Sequence, residues 1–326
     1  MNKTDFDVLK QDAKIQFIQN GMMEAHAEIV ADCFATADTY GVTTHGCAIV
    51  PAHIDRIRRR GYNLQPQFRI LRETSAFAVI DGDNAMGPVS AMFCMEYAIE
   101  KSRESGVFTV FSRNNNTFGP AFYYSLKAAE KGCIGLICSN SPAQMAPTGG
   151  AEKLIGTNPF AVVIPVPEDD PIMIDMATSV VAKSKFKEYK LAGKLLPEGW
   201  ALDANGHPTT DPDAGMSGFV LPMAGVKGYA IAMLIDILAG VLSGAAWLDK
   251  VGRFYSETED SMNVGFYMTV IDPAVVCGEE YRNQIKEFVK RIRSSKAVDG
   301  KTVVLPGADR LHIYHKKGNR YEGTTN

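Results

Sequence analysis

Phe77-Ala-Val-Ile-Asp-Gly-Asp-Asn84 reads as a strand and its exit: four apolar residues, then a turn-forming run of Asp, Gly and Asn. Downstream of it, helix and strand alternate. The spacing predicts helix from about Val89 to Ser105, strand at Val107–Phe111, helix from about Pro120 to Gly132 and strand at Ile134–Cys138. Phe160–Ile164, Met173–Met176 and Gly265–Ile271 are further strand candidates. Helices are expected at about Lys183–Ala192 and Glu279–Ser295, with one long core helix from Val226 to Trp247. Strands alternating with helices define a mixed α/β core.

Upstream of Arg72 the texture is helical. Thr4 with Asp7 resembles a capping box, opening a helix that ends near Gly21. A second helix is expected from Glu24 to Tyr40, stopped by Gly41, and a third from Val50 to Arg60. At the other end, the polar tail from Lys316 reads as frayed. With 326 residues, of which 46% are hydrophobic, the chain is long enough to bury a core without disulfide or metal staples. A net charge of -3 removes the electrostatic case for nucleic acid. Lys227 and Asp236 within the Val226–Trp247 run argue against a membrane span. The N-terminus lacks a signal peptide's apolar stretch, and the six cysteines form no C-x-x-C pair, so a cytoplasmic protein with reduced thiols is expected.

Familiar catalytic signatures are missing. There is no G-x-G-x-x-G, no P-loop, no H-E-x-x-H, no zinc-spaced Cys/His set and no G-x-S-x-G, and no metal site is expected. Several segments still carry chemistry. Thr43-Thr-His-Gly46 sets a histidine in a loop, where it is either a proton carrier or a solvated structural residue. Arg113-Asn-Asn-Asn-Thr-Phe-Gly119 leaves a strand with polar side chains that line a ligand crevice or make an ordinary turn. Ser139-Asn-Ser-Pro-Ala143 and Asp175-Met-Ala-Thr-Ser179 also follow strands, and Gly149-Gly150 and Gly156-Thr-Asn-Pro159 allow close backbone approach to phosphates. Lys227, between Gly225 and Gly228, is either a phosphate partner or a solvated first-turn lysine.

Taken together these segments resemble the malate/L-lactate dehydrogenase family of the non-Rossmann type, which includes ureidoglycolate dehydrogenase, diketogulonate reductase, sulfolactate dehydrogenase and piperideine-carboxylate reductase. The resemblance runs nearly end to end: Thr44 to Gly46, Asp81-Gly-Asp-Asn84, Gly149-Gly150, Gly156-Thr-Asn-Pro159, Asp175-Met-Ala-Thr-Ser179, Pro197-Glu-Gly-Trp200, Pro208-Thr-Thr-Asp-Pro212, Lys227-Gly-Tyr229, Leu238-Ala-Gly-Val-Leu-Ser-Gly244, Asn263-Val-Gly265 and Leu305-Pro-Gly307. It implies a helical domain from residues 1–73 with about 278–326, and a mixed-sheet cofactor-binding domain from 74–277. It implies a homodimer acting on a small-molecule substrate. It implies an NAD(P)-dependent enzyme moving a hydride to or from a 2-keto or 2-hydroxy acid, with cyclic imino acid reduction, or nucleotide binding without turnover, as alternatives. Ser141, Asp175, Met176, Ala177, Lys227, Gly307, Ala308 and Asp309 match cofactor-contacting segments, and His45 matches the family's proton-donating histidine. NAD is expected over NADP because no basic cluster for a 2′-phosphate stands out.

The chain departs from the family where substrate is expected. Thr44 replaces a serine, Ile49 replaces an arginine suited to a carboxylate, His53 replaces a tyrosine, and Thr117 replaces a second histidine. Either the pocket is altered, with His45 or His53 carrying the proton and Asn116 and Thr117 bonding the substrate, or dehydrogenase chemistry is lost. On the first reading a protonated His53 partly fills the carboxylate-binding role.

Overall fold

The computed structural model describes residues 3–317. Three helices open the chain: α1 (Lys3–Gln19), α2 (Glu24–Thr39) and α3 (Val50–Arg58). α1 already runs at Lys3, so Thr4 stands inside the helix and not at its cap, and its side chain lies outside the described residues. The alternating region gives β1 (Arg69–Glu73), β2 (Phe77–Asp81), α4 (Gly87–Ser105), β3 (Val107–Asn115), α5 (Ala121–Glu130) and β4 (Ile134–Ser139). Then come β5 (Ala143–Met145), β6 (Ile155–Gly156), β7 (Phe160–Ile164), β8 (Ile172–Met176), α6 (Ser184–Leu191), β9 (Ala201–Leu202), β10 (Pro208–Thr209), α7 (Pro212–Ser217), β11 (Phe219–Val220) and α8 (Val226–Ile235). The chain closes with β12 (Val264–Ile271), α9 (Pro273–Cys277), α10 (Glu280–Arg293) and α11 (Ala308–Lys316).

The main sheet has seven strands in the order β1-β2-β3-β12-β4-β7-β8. β2 and β3 are parallel, joined by α4 as a crossover, and every other neighbouring pair is antiparallel. β12 returns from far along the chain to fill the centre, with Met268 opposite Val110 on one side and Ile137 on the other. Alternate residues of the strands point to one buried face: Ile80, Val110, Ile137, Ala161, Phe266 and Met268 are covered by Met95 of α4 and Phe122 of α5. A second, smaller core holds Met145, Ile155, Phe186, Leu196 and Val220 around the short strands. A third, of Val166, Ile172, Val289 and Leu305, pins α10 beside the β8 edge.

The run Val226–Trp247 differs from the long core helix expected. It is α-helical only to Ile235, turns as a π-helix over Asp236–Val241, and breaks before Gly244. Asp236 is buried at the start of that wider turn and accepts from Asn140 Nδ2 at 3.1 Å and Leu248 N at 3.1 Å. Leu234 and Leu242 are more than half exposed, so the segment is not a core helix on every side. The end of the chain differs too: where a frayed tail was expected from Lys316, α11 extends to that residue, while the remainder of the tail from 318 lies outside the described residues.

α11 lands on the β8 edge through Gly307. Its φ is 86°, and a Cβ there would sit 2.5 Å from Met173 Cβ, so a side chain would push the two segments apart. Met173 N donates to Pro306 O at 3.2 Å at the same point. The helix then reaches α2, stacking Tyr314 on Tyr40 with centroids 4.4 Å apart.

Phe266 is fully buried at the centre of the sheet, with the Phe118 ring 5.2 Å away edge-on. Phe266→Ala should lower unfolding free energy by about 3–5 kcal/mol in urea titrations. A loss under about 1 kcal/mol would show that the β12 insertion does not carry the core.

Candidate active site

His45 ends a short 3₁₀ turn, Thr43–His45, just past α2. Asp38 of α2 fixes this loop. Its carboxylate accepts from Cys47 N at 2.8 Å, and a Cβ at Gly46 would lie 1.9 Å from its Oδ1, so a side chain there would displace the carboxylate from this bond. Lys317, just past α11, donates to the Asp38 carbonyl at 2.6 Å. The imidazole is half-buried, with Nδ1 3.1 Å from the Thr44 hydroxyl.

Asp175, at the C-terminal end of β8, lies within electrostatic reach of His45. Arg310 of α11 forms an ion pair with its carboxylate and donates to its carbonyl at 3.3 Å. Burial pulls the His45 pKa down; the Asp175 charge raises it and the Arg310 charge lowers it. Burial likewise pushes Asp175 up, against the opposing pull of Arg310 and His45.

Hydrogen bonds connect three of the four segments that hold the cofactor candidates. Ser141 N donates to Asn158 Oδ1 at 3.0 Å, and Asn158 Nδ2 donates to Ala232 O of α8 at 2.8 Å. Thr178 N donates to Thr157 O at 3.0 Å, Met223 N to Thr178 O at 2.9 Å, and Gly228 N to Met223 O at 3.0 Å. The Ser141 segment is thus linked to α8 through the Asn158 side chain, the Asp175–Ala177 segment to the start of α8 through backbone, and Gly307 lies against Met173 of β8. Lys227 is exposed, and among the described residues its ammonium has no hydrogen-bond or ion-pair partner. Met176 and Asp309 are exposed and Ala177 and Ala308 half-buried. A cavity of about 700 Å³ is lined by Gly149, Gly150, Val180, Pro222, Gly225 and Val226, the last of these preceding Lys227 in the chain. Neither His45 nor Ser141, Asp175–Ala177, Lys227 or Gly307–Asp309 is part of its wall.

The other three candidates are differently placed. His53 is buried in α3, with Nδ1 2.7 Å from the Tyr62 hydroxyl, Phe34 and Phe254 rings around it, and Nε2 without a partner among the described residues. Burial, with the charge of Arg56, pushes its pKa down to about 3, so it is neutral near pH 7 and does not supply the positive charge expected for a substrate carboxylate. Asn116 is fully buried and its amide is spent: Oδ1 accepts from Arg56 Nη2 and Met262 N, and Nδ2 donates to Asn84 and Ala85. In this arrangement it organises the loops and presents no free group to a substrate, contrary to the expectation from sequence. Thr117 is half-buried, and its hydroxyl makes no hydrogen bond among the described residues.

Three residues of this region were not singled out from the sequence. Asp38, a carboxylate on a largely buried helix seven residues before His45, was visible as a charge out of place. Arg56 is fully buried and donates to the Phe254, Glu257 and Asp260 carbonyls, tying down the 254–260 loop. Arg310 gave no sequence signal, since its partner lies 135 residues away.

The family model described as malate/L-lactate dehydrogenase matches residues 4–323, and the chain belongs to that family. A malate dehydrogenase from Pyrococcus horikoshii is 38% identical over 91% of this chain and 82% of its own length. A ureidoglycolate dehydrogenase (NAD(+)) from Escherichia coli O157:H7 is 34% identical over 94% and 88%. The solved structure of sulfolactate dehydrogenase from Methanocaldococcus jannaschii superposes with a TM-score of 0.90 at 34% identity, covering 98% of this chain and 93% of that one. Relatives in the family are named for NAD(+) in one case and for NADP(+) in another.

The buried imidazole sets a pH dependence. Unfolded, His53 takes a proton near 6.5; folded, only near 3. Between those values the unfolded chain holds the extra proton, so stability is full above 6.5 and falls toward 3, by about 1.4 kcal/mol per pH unit. His53→Gln should remove this slope. Equal slopes for wild type and variant in urea titrations across pH 6 to 4.5 (a range of about 1.5 units, inside that window) would mean that folded His53 protonates freely.

Proposed function

We propose that the chain is an NAD(P)-dependent oxidoreductase that moves a hydride to or from the oxygen-bearing carbon of a small 2-keto or 2-hydroxy acid. The observation that supports this is the run of hydrogen bonds from the Ser141 segment through Asn158 to α8 and from Thr178 to the start of α8, together with Gly307 against β8, where Asp175 lies within electrostatic reach of His45. The groups suit a dinucleotide: small residues and turns that permit close approach, one unpartnered ammonium, and a glycine-rich cavity rim. When bound, the nicotinamide gives or takes the hydride; the protein supplies position and protons.

His45 is the proton carrier in this reading. Its lowered pKa leaves the neutral ring, with Nδ1 against Thr44, able to accept the substrate hydroxyl proton at Nε2 in oxidation, and the imidazolium returns it in reduction. The Asp175 charge steadies the protonated ring, and Arg310 keeps that effect in check. Thr44 orients the ring, the free Thr117 hydroxyl meets the substrate, and Asn116 and His53 hold the surrounding loops. Lys227 anchors the cofactor by a charge-assisted bond.

The family resemblance also supports a homodimer, as does the apolar surface of α8 and the turn after it, where Val226, Leu234, Val241 and Leu242 are each more than half exposed. The division into a helical domain of 1–73 with about 278–326 and a sheet domain of 74–277 is supported by α11 packing on α2. α10 instead packs on the sheet edge. No described helix is long and apolar enough to cross a membrane. Light scattering at micromolar concentration should give twice the mass of one chain, and a monomer would overturn the dimer.

A turnover screen over 2-hydroxy acids, 2-keto acids and cyclic imino acids with NADH, NADPH and their oxidised forms tests the activity. With the best substrate, His45→Ala should lower kcat by about 100-fold or more while the cofactor fluorescence titration stays nearly unchanged. Near-normal turnover in that variant would remove His45 from proton transfer. Cofactor binding with no turnover on any substrate class would leave a binding protein and not an enzyme.

A further inference from the structure

Lys153, on the segment before β6, and Lys183, at the start of α6, are 30 residues apart and give no sequence signal of a cluster. The fold brings them side by side. Lys153 Nζ donates to Ser217 O at 2.7 Å and Lys183 Nζ to Gly218 O at 3.0 Å, two consecutive carbonyls at the end of α7 and just past it. Arg253 adds a third positive charge within electrostatic reach of Lys153. Among the described residues neither ammonium has a carboxylate within ion-pair distance, although nearby Lys185 and Lys190 each have one. Both are half-buried, where like charges are poorly screened. Burial together with the Lys153 charge brings Lys183 down to about 8, and burial with the Arg253 charge lowers Lys153. Each ammonium has one proton on a carbonyl and two left to give.

The cluster also has an approach. Neither lysine lines the cavity itself, but the Phe219 ring, 5.7 Å from the Lys153 ammonium, and Ala151, two residues before Lys153, both form part of its wall. A ligand anion at that rim would meet two ammonium groups at once and relieve their repulsion. A tetrahedral oxyanion, with several acceptor oxygens, matches two adjacent donors better than a single carboxylate oxygen does.

We propose that Lys153 and Lys183 form a binding site for a phosphate monoester at the rim of this cavity. Two sources carry that chemistry: the ribose 2′-phosphate of NADP(H), or a phosphate group on another small molecule. The first source rests on the oxidoreductase reading and would reverse the preference for NAD expected from the sequence; the second does not depend on it.

The test uses the full-length protein, inorganic phosphate as the probe in calorimetry, and NADPH and NADH in fluorescence titrations. Phosphate should bind the wild type at millimolar concentration, and the double variant Lys153→Gln/Lys183→Gln should lose at least about tenfold in affinity, as expected for removing charge-assisted bonds. If NADPH affinity falls in parallel while NADH affinity holds, and phosphate competes with NADPH, the site takes the 2′-phosphate. If phosphate binding is lost with both cofactor affinities intact, the site takes a separate phosphate. Lys183→Arg should retain binding, and with the two single variants it carries the test should the double variant fail to fold. No phosphate binding to the wild type together with unchanged NADPH affinity in the variants, or equal phosphate binding by wild type and double variant, overturns the site. A protein that binds no cofactor but does bind phosphate through these lysines refutes the oxidoreductase reading and leaves this one standing.

Discussion

The ion pair between Arg310 and Asp175 joins three parts of the chain that share little else. Asp175 ends the edge strand β8, Arg310 sits in the first turns of α11, and His45 follows α2. Taking a carboxylate out of water costs several kcal/mol unless a counter-charge meets it. Here that counter-charge arrives only because Gly307 lets α11 start within contact of Met173. Once seated, α11 can stack Tyr314 on Tyr40 and, through Lys317, hold the carbonyl of Asp38, whose carboxylate fixes the His45 loop. The position of the histidine therefore depends on a helix more than 260 residues away in sequence (308 against 45). The buried charge that makes α11 necessary is also the one that tunes the imidazole.

Much of the sheet was legible because its strands are short apolar runs with turn residues at both ends. Those signals are local, and they placed β2, β3, β4, β7, β8 and β12. Strand order is not local. Nothing in Val264–Ile271 says that it enters between β3 and β4, since cross-strand partners at separations above 100 residues leave no periodic trace. β1 was missed because every residue of Arg69–Glu73 is exposed, which erases the alternation that marks a half-buried strand. The two-residue strands around the second core are too short to carry any pattern. Over Val226–Trp247 hydrophobicity was read as burial, yet composition alone does not separate a core helix from one whose apolar face awaits a partner.

The site divides in the same way. The segments proposed to hold the cofactor carry glycine, threonine and asparagine in short runs; those with Ser141, Asp175 and Lys227 stood out from the residues themselves, whereas Gly307 came from the family resemblance alone. The roles of individual polar side chains could not. Asn116 and His53 have the right chemistry for catalysis, but their environment assigns them elsewhere: one is saturated by Arg56 and backbone, the other is held neutral among aromatic rings. Arg56, Arg310 and the Lys153–Lys183 pair act through neighbours distant in sequence, so a reading along the chain sees only isolated charges.

Ile49 then acquires a consequence. A fixed arginine near a catalytic histidine neutralises an incoming carboxylate without involving the proton that is to be transferred. Among the described residues the charges that act on the His45 ring are those of Asp175 and Arg310, which oppose each other; the carboxylate of Asp38 holds the same loop, and His53 contributes no positive charge. On the proposed reading, an anionic keto acid entering this surrounding would find its counter-charge in the imidazolium itself. Its approach would raise the His45 pKa against the burial that lowers it, and a proton would be taken up as the anion binds. Substrate binding and proton loading would be one linked event. The family's usual arginine would separate them, and its replacement by an apolar side chain joins them through the one group able to carry both charge and proton.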